Sequence, residues 1–375
     1  MTVAATLTVY VARRFLGACL AMLAGLTLLV ALFDFIELLR RAATRPDAGF
    51  ALVAQIAGLR LPFVAMQILP FAVLLGGLLA FWRLSRSSEL VVARAAGVSA
   101  WGFLSGPVLV ALAFGLLGTL GFSPLSSTML ARAERLDHAY LRNASGLTAL
   151  AGGRLWLRQA DRGLEPGGVA ILSGRPVPER RADAAAGAFA MTDVSLWRLS
   201  ANDRPLARVE APRARLLPGQ WVLEDAVAFN ADRGAGTRQA VLFPTELTPD
   251  RIENSFASPD TLSFWALPGF IEVLEAAGFS AVRHRLHFQS LLSMPVLAAS
   301  MALLAAGFSM RTSRRGGVAR MLAAGIAAGF ALFVLDRITG EFGEAGTLPV
   351  ALAAWAPTIA GLLLALALLL HLEDG

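Results

Sequence analysis

The chain has 375 residues, of which 56% are hydrophobic and only 16% are charged, and its mean hydropathy is +0.61. This balance excludes an ordinary soluble domain and indicates an integral membrane protein. The net charge of +6 is typical of basic cytoplasmic loops, and we expect no nucleic-acid partner. Cys19 is the only cysteine, so neither an intramolecular disulfide nor a cysteine-based zinc site is expected.

The first apolar run follows Arg13 and Arg14 and predicts an uncleaved transmembrane helix. The tetrapeptide LGAC at residues 16–19 resembles a lipoprotein cleavage box. A signal sequence, however, needs about 7 to 15 apolar residues before its cleavage site, and here only Phe15 separates Arg14 from the box.

Six runs are long enough to cross a hydrocarbon core of ~30 Å at about 1.5 Å per residue. They cover residues 13–36, 52–82, 100–122, 288–309, 318–335 and 349–371. A polar block separates the first three from the last three. Because nine arginines fall in the loops on the N-terminal side of the membrane and four on the other, we predict cytoplasmic termini and an exoplasmic central block.

The central block carries strand signals, with short β-favouring runs bounded by Gly, Pro, Asp or Asn. These runs are GGRLWLRQA, GGVAILSG, DVSLWRLS, ARVEAPRARLL and GQWVLEDAVAFN. Their spacing predicts an antiparallel sandwich or roll, with Trp156, Trp197 and Trp221 in a core or lining a groove. PGFIEVLEAAGF, at residues 268–279, predicts a connector helix that leads to the fourth span.

Four arginines lie beside the outer ends of the first two predicted spans: Arg40, Arg41, Arg45 and Arg60. Charges at this depth are costly and need a partner. They either reach the interface and pair with Asp34, Glu37 or lipid phosphates, or form a cationic rim for an anionic amphiphile. Both interpretations fit the residues. A second polar patch, Asp336, Arg337 and Glu341, lies at the outer end of the fifth span.

Signs of catalysis are weak in this sequence. The chain has no lysine, so it cannot supply the lysine of a P-loop, and no nucleophile elbow or carboxylate pair stands out. His284 and His287 have helical spacing, but no third ligand lies near them, so an interfacial role is favoured over a metal site. We therefore expect no catalytic residue, metal or cofactor.

Between the second and third spans, RSSELVVARAAGVS predicts a short cytoplasmic helix at about residues 87–97. Ser87 is a good N-cap, Glu89 suits the first turn, Arg94 suits the last turn, and Gly97 can end the helix. Such a helix either lies on the inner leaflet or inserts into a cleft of another protein.

The same stretch resembles the coupling helix of the LptF/LptG permeases, the paired membrane subunits of the lipopolysaccharide transporter in Gram-negative bacteria. Further similar motifs are DFIELLRRA, LPFVAMQILPFAVLLGGLLAFWRLSR, ELTPDRI, SPDTLSFWALPGFIEVLEAAG and FVLDRITGEFG, which resemble LptG members in particular. The resemblance covers almost the whole chain.

The resemblance implies a six-helix, three-plus-three membrane protein of the inner membrane with an inserted all-β, jellyroll-like periplasmic domain. The expected division is transmembrane helices 1–3 in residues 1–123, the β domain in 124–268, and the connector helix with helices 4–6 in 269–375. The expected partners are an LptB-like ATPase dimer, an LptF-like permease and an LptC-like bitopic protein, and the expected substrate is lipopolysaccharide.

The resemblance also implies roles for individual residues. ATPase coupling falls on Ser88, Glu89, Leu90, Val91, Val92, Arg94 and Gly97. Arg40 and Arg41 match the basic pair that approaches lipid A phosphates. LptG members can carry a basic residue where this sequence has Asp34, and our own hypothesis is that Arg45 or Arg60 compensates for the acid there. The alternatives are a permease for lipoprotein release, which usually places its outer domain after the first span, and a polytopic enzyme that acts on lipid.

Overall fold

The computed structural model describes residues 2–43, 49–87, 100–141, 148–151, 154–161, 168–177, 189–200, 204–230, 234–245, 247–248, 252, 258–276, 279–309 and 318–373. The chain divides into two compact units. The helical unit contains Met1–Leu141, Pro259–Leu267 and Val282–Gly375. The β unit contains Arg142–Ser258 and Pro268–Ala281.

Long apolar helices build the helical unit. They are α1 (Thr2–Ala42), α2 (Phe50–Arg86), α3 (Ala100–Leu116), α4 (Ser123–Leu136), α6 (Val282–Ser309), α7 (Val318–Glu344) and α8 (Val350–Glu373); the connector helix α5 (Leu267–Ala276) precedes α6. A π-helical segment, Leu117–Phe122, joins α3 to α4, and another, Asp137–Leu141, follows α4. The third span thus continues well past residue 122. Within the described residues, six helical segments are long and apolar enough to cross a membrane, which confirms the predicted architecture.

Close backbone approaches hold the helices together. Gly115 of α3 lies against α6 so closely that a Cβ on it would stand 2.3 Å from the Cα of Pro295. Gly76 of α2 approaches α1 in the same way, because a Cβ there would stand 2.6 Å from the Cα of Cys19. Small residues at such crossings let helices pack where lipid supplies no hydrophobic drive.

Burial differs strongly among the six spans. Of the 18 consecutive residues that are most apolar in each span, 61% are buried inside the protein in the second span and 67% in the fourth. The corresponding values are only 17% for the first span and 22% for the fifth. The first and fifth spans therefore present most of their apolar side chains outward.

Within the part of the chain that the structure describes, the β unit consists of eight strands in one antiparallel sheet. They are β1 (Thr148–Ala151), β2 (Arg154–Asp161), β3 (Gly168–Val177), β4 (Ala190–Leu199), β5 (Pro205–Leu217), β6 (Gln220–Asn230), β7 (Gly234–Ala235) and β8 (Gln239–Pro244). Consecutive strands pair from β1 to β7, and β8 also pairs with β6. The five predicted strand runs coincide with β2 to β6, so the inserted all-β domain is confirmed.

One face of this sheet forms the core of the β unit. Leu155, Leu172, Leu196 and Trp221 are almost completely buried on it. Leu274 of the connector helix α5 belongs to the same core. The alternation of buried and exposed residues along β2 and β5 leaves the opposite face accessible to solvent.

Candidate functional site

The last turns of α1 carry an exposed arginine pair that shares one carboxylate. Arg40 donates from Nε to Glu37 Oε2 at 2.8 Å and from Nη2 to Oε1 at 2.9 Å. Arg41 donates from Nε to the same Oε1 at 3.0 Å. Two guanidinium groups facing one carboxylate leave a net positive charge, and the Arg40 side chain is 76% exposed. These cations also suit the negative end of the helix dipole.

Arg60 of α2, by contrast, is held inside the helical unit between two carboxylates. Its Nη1 lies 3.0 Å from Asp34 Oδ1 of α1, and its Nη2 lies 3.5 Å from Asp137 Oδ2, just after α4. The side chains of Arg60, Asp34 and Asp137 are 19%, 27% and 2% exposed. We call these three residues the ion cluster; its formal charge is −1, and it joins three parts of the helical unit.

The ion cluster is surrounded by apolar side chains from the same helices. Leu38 of α1, Val53 and Ile56 of α2, and Ala133 of α4 are all buried there. The low polarity of this packing strengthens the attraction between the charges and makes an uncompensated charge costly. Sequence reasoning identified Asp34 and Arg60 as a possible pair but assigned Asp137 to the polar block, because the helix was expected to end at residue 122.

The helical unit also contains a cavity of about 480 Å³. Its walls come from α2, α4, α6, α7 and α8 and are largely apolar, with Phe63, Phe71, Met294, Leu297 and Phe333 among the lining residues. This volume lies within the range of about 300–1,000 Å³ that is typical of sites for small ligands. The cavity can therefore accommodate a hydrocarbon group of substantial size.

Polar groups also line this cavity. His287 Nδ1 of α6 lies 3.4 Å from Asp260 Oδ1. Asp336 and Arg337 of α7 also line the cavity, and the Arg337 guanidinium lies 5.7 Å from the centre of the Phe333 ring. The second polar patch of the sequence is thus partly at the cavity, through Asp336 and Arg337. An apolar chamber with charged groups on its wall suits an amphiphile.

Other site residues singled out in the sequence lie outside the described residues. These are Arg45 and the predicted coupling residues Ser88, Glu89, Leu90, Val91, Val92, Arg94 and Gly97. Ser87, at the end of α2, donates its hydroxyl to the carbonyl oxygens of Arg83 and Leu84, each at 3.2 Å. Within the described residues, no group of three or more His, Cys, Asp or Glu side chains has the arrangement of a metal site.

Comparison with known proteins identifies the family. Residues 9–371 match the family described as "Lipopolysaccharide export system permease LptF/LptG". The permease protein LptG of Escherichia coli K12 is 27% identical over 314 residues, which cover 80% of this chain and 81% of that protein. LptG of Haemophilus influenzae Rd is 25% identical over 366 residues, which cover 94% and 95%. Because the match includes all six spans and the β unit, the chain belongs to the LptF/LptG family of lipopolysaccharide export permeases.

Proposed function

We propose that this protein is a permease subunit of the ABC transporter that extracts lipopolysaccharide from the inner membrane and passes it to the periplasmic bridge. The observation that carries this proposal is the family match over residues 9–371, which spans both units rather than the membrane helices alone. As a permease subunit the chain is non-catalytic, and ATP hydrolysis takes place in a separate LptB-like dimer.

Substrate recognition divides between the cavity and the arginine pair. The apolar walls of the cavity accept acyl chains, whereas Arg40 and Arg41 bind lipid A phosphates at the end of α1. Glu37 occupies only part of the hydrogen-bonding capacity of the pair, because two guanidinium groups carry ten N–H donors in total. Arginine and phosphate form strong charge-assisted hydrogen bonds. Arg45 supplements this pair.

Arg60 is less available for phosphate binding than Arg40 and Arg41. Its guanidinium contacts Asp34 and Asp137 and is only 19% exposed, so direct phosphate binding requires the loss of at least one of these contacts. We assign Arg60 first to holding α1 against α2 and only second to lipopolysaccharide. The substrate phosphates then meet Arg40 and Arg41 before they meet Arg60.

The proposed partners fit the surfaces of the helical unit. The first and fifth spans are 17% and 22% buried, and exposed apolar side chains such as Leu28, Phe33, Phe330 and Phe342 lie along them. An LptF-like permease and an LptC-like bitopic helix cover these spans in the assembled transporter. The segment 88–97 docks into the ATPase on the cytoplasmic side, where both termini lie, and the β unit is periplasmic.

A double charge reversal tests the phosphate assignment. Arg40→Glu together with Arg41→Glu should lower photo-crosslinking of lipopolysaccharide by about tenfold or more, since the reversal replaces charge-assisted hydrogen bonds to phosphate by repulsion. The matched control is Arg13→Glu with Arg14→Glu, an exposed adjacent pair towards the other end of α1. Both variants should still assemble with the other subunits. Equal lipid capture by the two double variants would contradict the phosphate role of Arg40 and Arg41.

A further inference from the structure

The exposed face of the β sheet carries an ordered aromatic group. The indole rings of Trp156 (β2) and Trp197 (β4) stack with centroids 5.6 Å apart and planes at 9°. The Arg208 guanidinium of β5 lies 5.6 Å from the centroid of the Trp197 ring and forms an ion pair with Glu210. Trp197 therefore has neighbours on two sides, whereas Trp156 is 38% exposed.

Strand β3 lies between the two strands that carry the indoles. Ser173 of β3 pairs with Trp156 in the register and is completely buried, although it belongs to the exposed face. Its hydroxyl accepts a hydrogen bond from Arg154 Nε at 3.3 Å. An indole that is 38% exposed is an accessible platform for stacking.

Next to the aromatic group lies a depression of about 580 Å³. The strands there are irregular, since the registers of β3 with β4 and of β6 with β8 shift near Asp193 and Asp225. Both of these residues have positive φ, 53° and 49°. A non-glycine residue in this conformation is strained, and bulges of this kind redirect side chains and are common next to binding sites.

The depression combines carboxylates with arginines. Asp193, Glu210 and Asp225 line it together with Arg154 and Arg238. Two of these carboxylates also form ion pairs with neighbouring arginines, Asp193 with Arg175 at 3.7 Å and Glu210 with Arg208. Arg154 is fixed in place, because its Nη2 donates to the backbone oxygen of Asp193 at 2.7 Å.

The sheet register places the depression beside the aromatic group. Trp156, Ser173, Ser195, Glu210 and Val227 pair in succession across β2 to β6. Ser195, Glu210 and Val227 line the depression, so Trp156 and the depression share one row of the sheet. The next row lies two residues, about 7 Å, along the strands. It contains Trp197, Arg208 and Phe229, of which Phe229 also lines the depression.

We infer that this face of the β unit, formed by the depression and the Trp156–Trp197 pair, binds hydroxyl-rich sugar rings. This inference rests on the proposed function and adds a contact for the saccharide portion of lipopolysaccharide. Carboxylates accept hydrogen bonds from sugar hydroxyls, arginines donate to hydroxyl and ring oxygens, and the apolar face of a sugar ring stacks on an indole. The depression supplies the first two groups and Trp156 supplies the third.

The mixture of charges selects this occupant over two others. An isolated phosphate or the anionic surface of a membrane has to approach the three carboxylates that line the depression, and Arg175 and Arg208 are already paired with two of them. Segments that bind a membrane surface insert an apolar face among the lipid headgroups. The depression is concave and lined by several polar side chains, so it does not provide such a face. A neutral, hydroxylated ring satisfies donors and acceptors together without bringing a charge of its own.

Hydroxyl-radical footprinting of the full-length protein in nanodiscs tests the inference without any substitution. The probe is the lipid-free core oligosaccharide released from lipopolysaccharide by mild acid and then dephosphorylated. Oxidation of Trp156 should fall at least twofold at saturating oligosaccharide. Oxidation of Trp265, which is 64% exposed in the helical unit, should not change. Equal oxidation of Trp156 with and without the oligosaccharide would overturn the inference.

Binding measurements on variants separate the parts of the site. Trp156→Leu and Glu210→Gln should each raise the dissociation constant for the oligosaccharide by about fivefold, the loss expected for one stacking or hydrogen-bonding contact. Leu242→Ala is the matched control, because Leu242 is 60% exposed on β8 and pairs with Val222, away from the depression. Unchanged affinity in both site variants refutes the site. Weaker binding of Trp156→Leu to anionic vesicles, with saccharide affinity intact, refutes it in favour of a membrane contact.

The outcome is distinguishable from failure of the proposed function. If the oligosaccharide does not bind while intact lipopolysaccharide still crosslinks near Arg40 and Arg41, only the saccharide site is wrong. If neither binds, the proposed function fails with it.

Discussion

Replacement of Arg60 by methionine should destabilise the helical unit more than any other single change in the ion cluster. The substitution keeps most of the aliphatic volume but leaves Asp34 and Asp137 without their shared cation. Removal of one partner from a buried ion pair typically costs about 3–5 kcal/mol, because the remaining charge stays desolvated. Asp137 is only 2% exposed and meets this condition, whereas Asp34 at 27% regains some hydration. We therefore expect a loss of about 3 kcal/mol.

Neutralising a carboxylate should lower the stability of the helical unit less than removing the arginine. Asp34→Asn leaves Arg60 paired with Asp137, and the neutral amide oxygen still accepts a hydrogen bond, so the expected loss is about 1 kcal/mol. Glu37→Gln, on the exposed surface of α1, should leave the stability almost unchanged, because exposed ion pairs contribute little. Combining Arg60→Met with Asp34→Asn and Asp137→Asn removes all three charges and should restore most of the stability lost in Arg60→Met.

The protein contains its own reporter for this experiment. Cys19 is the single thiol of the chain and is 2% exposed, so a thiol-reactive fluorogenic dye detects thermal unfolding of the helical unit in detergent. The expected order of midpoint temperatures is wild type, then Glu37→Gln and Asp34→Asn, then Arg60→Met, with the triple variant above Arg60→Met. Equal midpoints for Arg60→Met and Asp34→Asn would refute the argument, because they would show that Asp137 is not buried as a charged group.

Two further predictions concern the coupling segment and the helix crossings. Glu89→Arg should abolish copurification of the ATPase and ATP-driven lipopolysaccharide release while leaving lipid capture by the permease intact; retained ATPase association would exclude Glu89 from the coupling contact. Gly115→Ala should lower the stability of the helical unit by about 1–3 kcal/mol in the same thermal assay, because its Cβ meets the backbone of Pro295. Gly25→Ala in α1, where no atom lies within 4 Å of the new Cβ, should instead be neutral or stabilising by up to about 1 kcal/mol; equal losses in both would contradict the close crossing.

The membrane helices were predictable because lipid imposes a length and an apolar composition that few other structures share. The end of the third span was not predictable in this way. Residues 123–141 are polar and begin with Ser123 and Pro124, which read as a loop, although proline is well tolerated in the first turn of a helix. Leu130 and Ala133 are buried there by contacts within the helical unit, which no local pattern reveals. Asp137 was missed for the same reason.

The strands were predictable from their residues, but the roles of the three tryptophans were not. Trp221 is fully buried, whereas Trp156 and Trp197 stack on the opposite face of the sheet. Alternation along a strand distinguishes its two faces but does not say which face is covered. Bulges also shift the alternation, as near Asp193, so only the observed register identifies the neighbours of each indole. The sequence likewise offered Asp34 as one of several partners for Arg60, together with Glu37 and lipid phosphates, without indicating how completely the pair is enclosed.

The ion cluster has a consequence for biosynthesis. Its members come from α1, α2 and the end of the third span, so the ribosome completes them at very different times. Until the third span emerges, Arg60 has only Asp34 as a partner, and Asp137 has none of its final surroundings. An ionised group without compensation does not enter lipid readily. Asp137 should therefore reach its final depth only together with α1 and α2, so the first three helices should settle into the bilayer as one group after the third is synthesised.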